Sequence, residues 1–182
     1  MKQTINCFLP YSDAAQIAAT VANLSNEPCV AKIFLIATSA DAKPVDGCEL
    51  IVTDTLNSSA TMKKIADAAE SDFILLYTKY TTLVPGYLAL KRFMRLADDS
   101  GAGMLYADSR SVVEGKQANQ PVIDYQFGSL RDDFNFGSVL FFRTSSFKEA
   151  VSMIDHEYQA AGLYDLRLKI SRIAPIVHIN EY

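Results

Sequence analysis

The sequence predicts an α/β fold with a mostly parallel central sheet and helices on both of its faces. Short continuous apolar runs, such as Phe73–Tyr77, are typical of strands that are covered on both faces. Between these runs lie segments with apolar residues at i, i+3, i+4 and i+7, the spacing of an amphipathic helix. Strands and helices therefore alternate, and this alternation indicates parallel strands joined by helical crossovers.

The predicted strands are apolar segments bounded by polar, proline or glycine positions. Cys7 and Cys48 lie inside two of them, and Cys29 is distant from both. We interpret the three cysteines as reduced thiols, which favours a cytoplasmic location. The predicted strands are Thr4–Leu9, Lys32–Ala37, Cys48–Thr53, Phe73–Tyr77, Met104–Ala107, Gly137–Arg143 and Pro175–Ile179.

Five apolar stripes predict the helices. The first helix opens after Pro10, with Ser12 as its N-cap. Pro85 opens the third, because proline lacks the N–H that would be unpaired in a first turn, and Gly101 ends it. Gly162 ends the fourth helix. The stripes are Ile17, Thr20, Val21 and Leu24; Met62, Ile65, Ala66 and Ala69; Leu90, Phe93, Met94 and Ala97; Phe147, Ala150, Val151, Ile154 and Tyr158; and Leu163, Leu166, Ile170 and Ile173.

Composition limits the possible functions. The chain has 182 residues, of which 49% are hydrophobic and 21% charged, enough for one domain with a full core. Its net charge of −4 and lack of a basic run argue against nucleic acid as a partner. No apolar stretch reaches membrane-spanning length. Two histidines and no Cys-x-x-Cys motif argue against a dedicated zinc site.

Function is expected where the strands end. In open parallel sheets, ligands bind outside the carboxyl ends of the strands. Two polar clusters follow predicted strands at such positions, Thr78–Tyr80 and Asp108–Arg110. The sequence therefore predicts a ligand site that includes one or both clusters.

The order of elements and several local sequences resemble the family 2 glycosyltransferases, which have a GT-A nucleotide-sugar-binding fold. The resemblance covers nearly the whole chain at the level of pattern. It implies one GT-A-like domain over residues 1–182, and further chain after it, since family members usually continue. The segments that carry it are Pro10–Tyr11, Ala69–Leu76, Thr82–Leu88, Leu105–Asp108 and Tyr164–Ile170.

The resemblance also implies roles for individual residues. Asp108 would be a metal ligand and Asp165 the catalytic base that takes a proton from the acceptor. The position of the family's acidic Asp-x-Asp motif is occupied by Thr78–Tyr80, which has no carboxylate. Lys79 would then stabilise a diphosphate directly, as a point charge. The candidate nucleotide-binding residues are Pro10, Tyr11, Asp13, Lys63 and Lys79.

Each assignment has a structural alternative. Asp108 also suits a turn or cap, and Asp165 suits a first helical turn, where the helix dipole favours a carboxylate. Lys63 and Lys79 also suit solvated positions, and we interpret His178 as structural.

Periodicity fades between Ser111 and Asn135, and a long irregular segment is often a functional loop. The charged residues 131–133 within it have three interpretations: a pair of metal ligands, a contact with the acceptor, or a solvated loop. The aromatic residues either form a sugar-stacking platform or anchor the loop in the core. They are Tyr125, Phe127, Phe134 and Phe136.

Two functions follow from the resemblance. The first is transfer of a sugar from a nucleotide sugar to a glycan or lipid-linked acceptor, with Mn²⁺ or Mg²⁺ neutralising the leaving diphosphate. The second is a catalytically silent GT-A-like domain that binds glycan or nucleotide, or serves in assembly beside a further domain. A dinucleotide-binding Rossmann domain is disfavoured, because no Gly-x-Gly-x-x-Gly follows the first strand.

Overall fold

The structure is a computed structural model that describes residues 2–128, 131 and 133–181. Strands and helices alternate along most of the chain, as the sequence predicts. The strands are β1 (Ile5–Tyr11), β2 (Val30–Ala37), β3 (Cys48–Val52), β4 (Phe73–Tyr77), β5 (Met104–Ala107), β6 (Ser109–Val113), β7 (Lys116–Gln120), β8 (Val139–Arg143) and β9 (Ile176–Ile179). The helices are α1 (Ala14–Ser25), α2 (Ser59–Ala68), α3 (Ala89–Ser100), α4 (Thr144–Ser152) and α5 (Gly162–Ile173).

Seven strands form one mostly parallel sheet in the order β3-β2-β1-β4-β8-β5-β9. Only β8 runs antiparallel to its neighbours in this sheet. It lies between β4 and β5, which point the same way. As a result, β1 to β5 and β9 all end at one side of the sheet, where β8 begins. We call this side the carboxyl edge.

Helices cover both faces of the sheet, as predicted. Because successive residues of a strand point to opposite faces, Phe73, Leu75 and Tyr77 of β4 pack in one core layer with α1 and α3. Ile74 and Leu76 pack in the other layer with α2, α4 and α5. The buried residues of α1 and α3 come from the predicted stripes, and those of α2 include Ser59 and Thr61 besides residues of its stripe.

Two predicted helix starts are wrong. Helix α3 begins at Ala89, not at Pro85, because Leu88 adopts a left-handed conformation with φ of 56° just before it. The N-cap of α1 is Asp13, not Ser12. A carboxylate oxygen of Asp13 accepts a hydrogen bond from the backbone N–H of Gln16, at 2.9 Å. Gly101 caps the end of α3 in the left-handed conformation, as predicted.

The prediction that Gly162 ends the fourth helix is also wrong. Helix α4 ends at Ser152, so Tyr158 lies outside it, and Gly162 is the first residue of α5. A Cβ at position 162 would overlap the backbone of Ser58 and Ser59, where α2 begins. Glycine is needed here because the starts of two helices meet.

The segment predicted to be irregular contains a two-stranded hairpin, β6 and β7, in a sheet of its own. Its turn is Glu114–Gly115, and both residues have positive φ, as tight hairpin turns require. Every residue of β7 is exposed. Of the charged residues 131–133, Asp132 lies outside the described residues. In the part of the chain that the structure describes, no helix is long and apolar enough to cross a membrane.

Candidate functional site

A cleft of about 440 Å³ opens at the carboxyl edge. It lies between the end of β4, the start of β8 and the beginnings of α2 and α5. Thr78, the first residue of the segment in the acidic-motif position, is in its wall, so the cleft lies where the sequence predicts a ligand site. Its lining residues are Asn57, Thr78, Gly137, Leu140, Ala160, Ala161, Leu163, Tyr164 and Arg167.

Thr78 is fixed by β8. Its backbone N–H donates to the carbonyl oxygen of Ser138 at 2.9 Å, and its hydroxyl donates to the same oxygen at 3.2 Å. Gly137, just before Ser138, has φ of 74° and therefore adopts a conformation that favours glycine. The wall of the cleft is thus built by backbone pairing at the start of β8.

Arg167 is charged and lines the cleft from α5. Its guanidinium carbon lies 5.0 Å from the centre of the Phe136 ring, in a cation–π contact. Its Nε atom is buried and has no hydrogen-bond acceptor. Burial lowers the pKa of Arg167, although arginine stays protonated in proteins. Arg167 was not among the residues predicted from the sequence.

The first turn of α5 packs directly on the start of α2. The backbone N–H of Leu163 donates to the carbonyl oxygen of Asn57 at 3.2 Å. The backbone N–H of Ser59 donates to the carbonyl oxygen of Tyr158 at 2.8 Å. The N–H groups of Ser59 and Leu163 are therefore already paired. The start of α5 lines the cleft with Leu163 and Tyr164, and the helix dipole makes such an end favourable to negative charge.

The predicted base, Asp165, does not line the cleft. Both of its carboxylate oxygens accept hydrogen bonds from Nζ of Lys169, at 2.6 and 2.7 Å. Lys169 also lies 3.8 Å from a carboxylate oxygen of Asp155. Asp165 is therefore held in an ion pair with Lys169, which lies one turn further along α5.

Asp108, the predicted metal ligand, is buried in a network at the end of β5. Its Oδ1 accepts a hydrogen bond from the backbone N–H of Val122, at 2.9 Å, and lies 3.0 Å from Nε2 of His178. Nδ1 of His178 lies 2.6 Å from Asp124. We call Asp108, His178 and Asp124 the histidine network. It ties β5 and β9 to the segment 121–126.

Tyr106 supports this network. Its ring stacks on His178 with centroids 4.9 Å apart, since the two residues are partners on neighbouring parallel strands. Its hydroxyl donates to the carbonyl oxygen of Ile123 and accepts from the backbone N–H of Tyr125, both at 2.7 Å. Burial raises the pKa of Tyr106 to about 12.

Three of the four loop aromatic residues anchor the loop. Phe136 is buried, and Tyr125 and Phe134 pack around it. Phe127 stands apart, with 82% of its surface exposed. The packing matches the anchoring interpretation for Tyr125, Phe134 and Phe136.

The residues predicted to contact nucleotide from β1 take different positions. Pro10 and Tyr11 are buried at the end of the strand, and the hydroxyl of Tyr11 donates to the carbonyl oxygen of Lys43 at 2.9 Å. Asp13 is exposed and caps α1, and the hydrogen bond from the backbone of Gln16 lowers its pKa. A role in nucleotide binding stays a prediction for all three.

The two predicted lysines also differ. Lys63 pairs with Glu157 on the surface. Lys79 is exposed and directly follows Thr78 of the cleft. Its phosphate-binding role stays a prediction.

The described donors at the carboxyl edge do not form a site for a divalent metal ion. Among the described residues, no three His, Cys, Asp or Glu side chains form a group that could hold one. Asp108 already accepts from Val122 and contacts His178. Asp54, which follows β3, accepts hydrogen bonds from the hydroxyl of Ser58 and the backbone N–H of Thr55.

No protein-family model and no curated protein matches this sequence. Solved structures do match. The 4-diphosphocytidyl-2C-methyl-D-erythritol synthase of Anaerococcus prevotii aligns with a TM-score of 0.65 at 9% identity, over 100% of this chain and 90% of its own. CMP:2-keto-3-deoxy-manno-octonic acid synthetase complexed with CTP gives 0.59 at 10% identity, with the same coverage.

A third structure is residues 1–349 of S. aureus TarS. It gives a TM-score of 0.67 at 12% identity, and the alignment covers 98% of this chain and 58% of that one. The chain has a GT-A-like fold. The similarity at these identities establishes the fold alone, so membership of the family 2 glycosyltransferases stays a prediction.

Proposed function

We propose that this GT-A-like chain binds a nucleotide, free or as a nucleotide sugar, in the cleft and acts as a binding or assembly module. One observation supports this most strongly. The two carboxylates that the resemblance assigns to chemistry are both engaged by the protein itself, Asp108 by Val122 and His178, and Asp165 by Lys169. The cleft is lined by an arginine instead.

The position of the cleft supports a nucleotide ligand. It is at the carboxyl edge, where ligands bind in open α/β sheets, and its volume is in the range of small-molecule sites. The names of similar structures include a CTP complex and synthases of a diphosphocytidyl compound. We extend that ligand chemistry, a base joined to phosphates, to this chain.

The cleft is less suited to metal-dependent glycosyl transfer. That reaction needs a divalent ion, held by carboxylates, to neutralise the diphosphate as the glycosidic bond breaks. Thr78 and Lys79 supply no carboxylate in the motif position. A bound diphosphate would instead meet Arg167 and the N-terminal end of α5.

Glycosyl transfer to a glycan or lipid-linked acceptor is our second candidate. Asp165 directly follows Tyr164 of the cleft wall, so its carboxylate is close in sequence to the lining residues. To act as a base it would have to leave Lys169. If transfer occurs, Asp165→Asn should abolish it while nucleotide binding persists.

A thermal-shift titration with nucleoside diphosphates and nucleotide sugars, with and without Mn²⁺, tests the proposal. A ligand that binds only the folded state raises Tm by mass action. We expect a shift in EDTA that grows with the logarithm of nucleotide concentration, and no metal-dependent hydrolysis of nucleotide sugars. Hydrolysis that requires Mn²⁺ would favour the transferase instead, and no shift with any nucleotide would refute nucleotide binding.

A further inference from the structure

Arg167 is the one charged side chain among the described residues that line the cleft. No described carboxylate forms an ion pair with it. The nearby ion pair on α5 joins Lys169 to Asp165, and Asp155 lies on the same lysine. The acids of this region are therefore directed to Lys169, and Arg167 keeps a net positive charge in the cleft.

The buried Nε atom of Arg167 is energetically unfavourable as it stands. A buried donor without an acceptor keeps its desolvation cost, and the cost is larger for a charged group. The contact with the Phe136 ring offsets a part of it. Arg167 as a whole is only partly buried and lines the cleft, so an anion there would give its guanidinium group an acceptor.

The geometry of a guanidinium fits phosphate. Its donors lie in a plane and form paired hydrogen bonds with two phosphate oxygens, which an ammonium group cannot reproduce. The N-terminal end of α5, which lines the cleft, adds favourable partial positive charge. Neutral side chains, such as Asn57 and Thr78, complete the wall without adding a repelling carboxylate.

We propose that Arg167 binds the diphosphate of the ligand directly and replaces the divalent metal ion as its counter-charge. This inference rests on the proposed function, since it names the residue that holds the nucleotide. It makes binding independent of metal. It also predicts that the unpaired Nε of Arg167 lowers the stability of the ligand-free protein.

Titration calorimetry in EDTA tests the proposal, with UDP, CDP and inorganic pyrophosphate as probes. The variants are Arg167→Met, which keeps the apolar contact with Phe136, and Arg167→Lys, which keeps the charge but loses the planar fork. Arg172→Met is the matched control, because Arg172 is exposed in the last turn of the same helix.

We expect Arg167→Met to weaken pyrophosphate and nucleotide binding by about 10- to 100-fold, and Arg167→Lys to lie between it and the wild type. Arg172→Met should bind as the wild type does. The ligand-free Tm of Arg167→Met should be equal to or above that of the wild type, because a buried N–H donor without an acceptor is gone. A purely structural role predicts the opposite, a lower Tm with unchanged affinity.

The two proposals fail in different ways. If the wild type binds nucleotides and Arg167→Met binds them equally well, or if binding requires Mn²⁺, Arg167 is not the counter-charge but the nucleotide site stands. Pyrophosphate binding that depends on Arg167, without nucleotide binding, would leave an anion site and refute the proposed function. If no probe binds the wild type, both proposals are wrong.

Discussion

Two parts of the carboxyl edge contrast in how their polar groups are satisfied. At the ends of β5 and β9, each member of the histidine network contacts a polar partner, and the ring of Tyr106 stacks on His178. In the cleft at the start of α5, the buried Nε of Arg167 has no acceptor. One part is complete within the protein and the other is not.

This contrast separates structural polar groups from binding groups. A buried network whose hydrogen bonds are made stabilises the fold and leaves nothing for a ligand. A charged group that is buried without a partner lowers stability until something binds it. Asp108 was predicted to be functional because it follows a strand, but in the structure Val122 and His178 are its partners. Arg167 was not predicted, yet its Nε atom is the one without a hydrogen-bond acceptor.

The largest expected effect is a loss of stability when the histidine network is disrupted. Asp108→Ala leaves the N–H of Val122 and a ring nitrogen of His178 without their acceptor, so we expect a loss of about 3 kcal/mol in the free energy of unfolding. Nucleotide binding by the folded protein should be unchanged. Urea denaturation measures the loss.

The matched control for that variant is Asp124→Ala, since 82% of the Asp124 side chain is exposed. Its contact with His178 is at the surface, where a polar contact contributes about 1 kcal/mol or less. If the two variants lost equal free energy of unfolding, the buried contact of His178 with Asp108 would be no stronger than its exposed contact with Asp124, and our account would be contradicted.

The next effect is expected beside the cleft, where the start of α5 meets the start of α2. Gly162→Ala forces the first turn of α5 away from the backbone of Ser58 and Ser59, which we expect to cost about 2 kcal/mol and to weaken nucleotide binding. Gly86→Ala is the control, because its new Cβ would make only an ordinary contact with Ala89. Unfolding and titration data that match the wild type for both variants would rule out this close approach.

A smaller effect is expected at Asp165. Asp165→Asn weakens a largely buried ion pair with Lys169, so the free energy of unfolding should fall by about 1.5 kcal/mol. A binding module should keep its nucleotide affinity in this variant. Asp155→Asn, which is exposed and farther from Lys169, should change neither quantity. A lost affinity in Asp165→Asn would place the carboxylate at the ligand.

The smallest effect is a pH dependence at Asp54. The hydrogen bond from the hydroxyl of Ser58, with that from the backbone of Thr55, lowers the pKa of Asp54. A carboxyl group with a lowered pKa in the folded state adds stability above its unfolded pKa of about 3.9, and this stability is lost as pH falls through the folded pKa. In acid unfolding, the difference between wild type and Asp54→Asn should therefore shrink below about pH 4. A stability difference that did not change with pH would contradict the lowered pKa of Asp54.

Much of the fold could be predicted from the sequence because its strands are strongly apolar. Phe73–Tyr77 and Met104–Ala107 agree with the structure at both ends. The hairpin was missed because β7, Lys116–Gln120, is entirely exposed and has no apolar alternation to mark it. The start of α5 at Gly162 was missed because glycine there serves a contact between two helices distant in sequence.

For the candidate site, the sequence could predict only the edge of the sheet. Parallel strand order led us to expect a ligand site at the carboxyl edge, and Thr78 lies in the wall of a cleft there. The partners of Asp108 could not be predicted, since His178 is 70 residues away and meets it only through the pairing of β5 with β9. Arg167 gave little signal, because a charged residue beside the apolar stripe of a helix usually faces solvent.

The most direct test observes Arg167 in the cleft and the histidine network in the same sample. In a ¹H–¹⁵N spectrum recorded in EDTA, the Nε–H resonance of Arg167 is assigned by its absence in Arg167→Met, and the ring resonances of His178 report on the network. On addition of pyrophosphate and then UDP, we predict that the Arg167 resonance shifts with saturation while those of His178 stay fixed. Movement of the His178 resonances with an unchanged Arg167 signal would contradict the account.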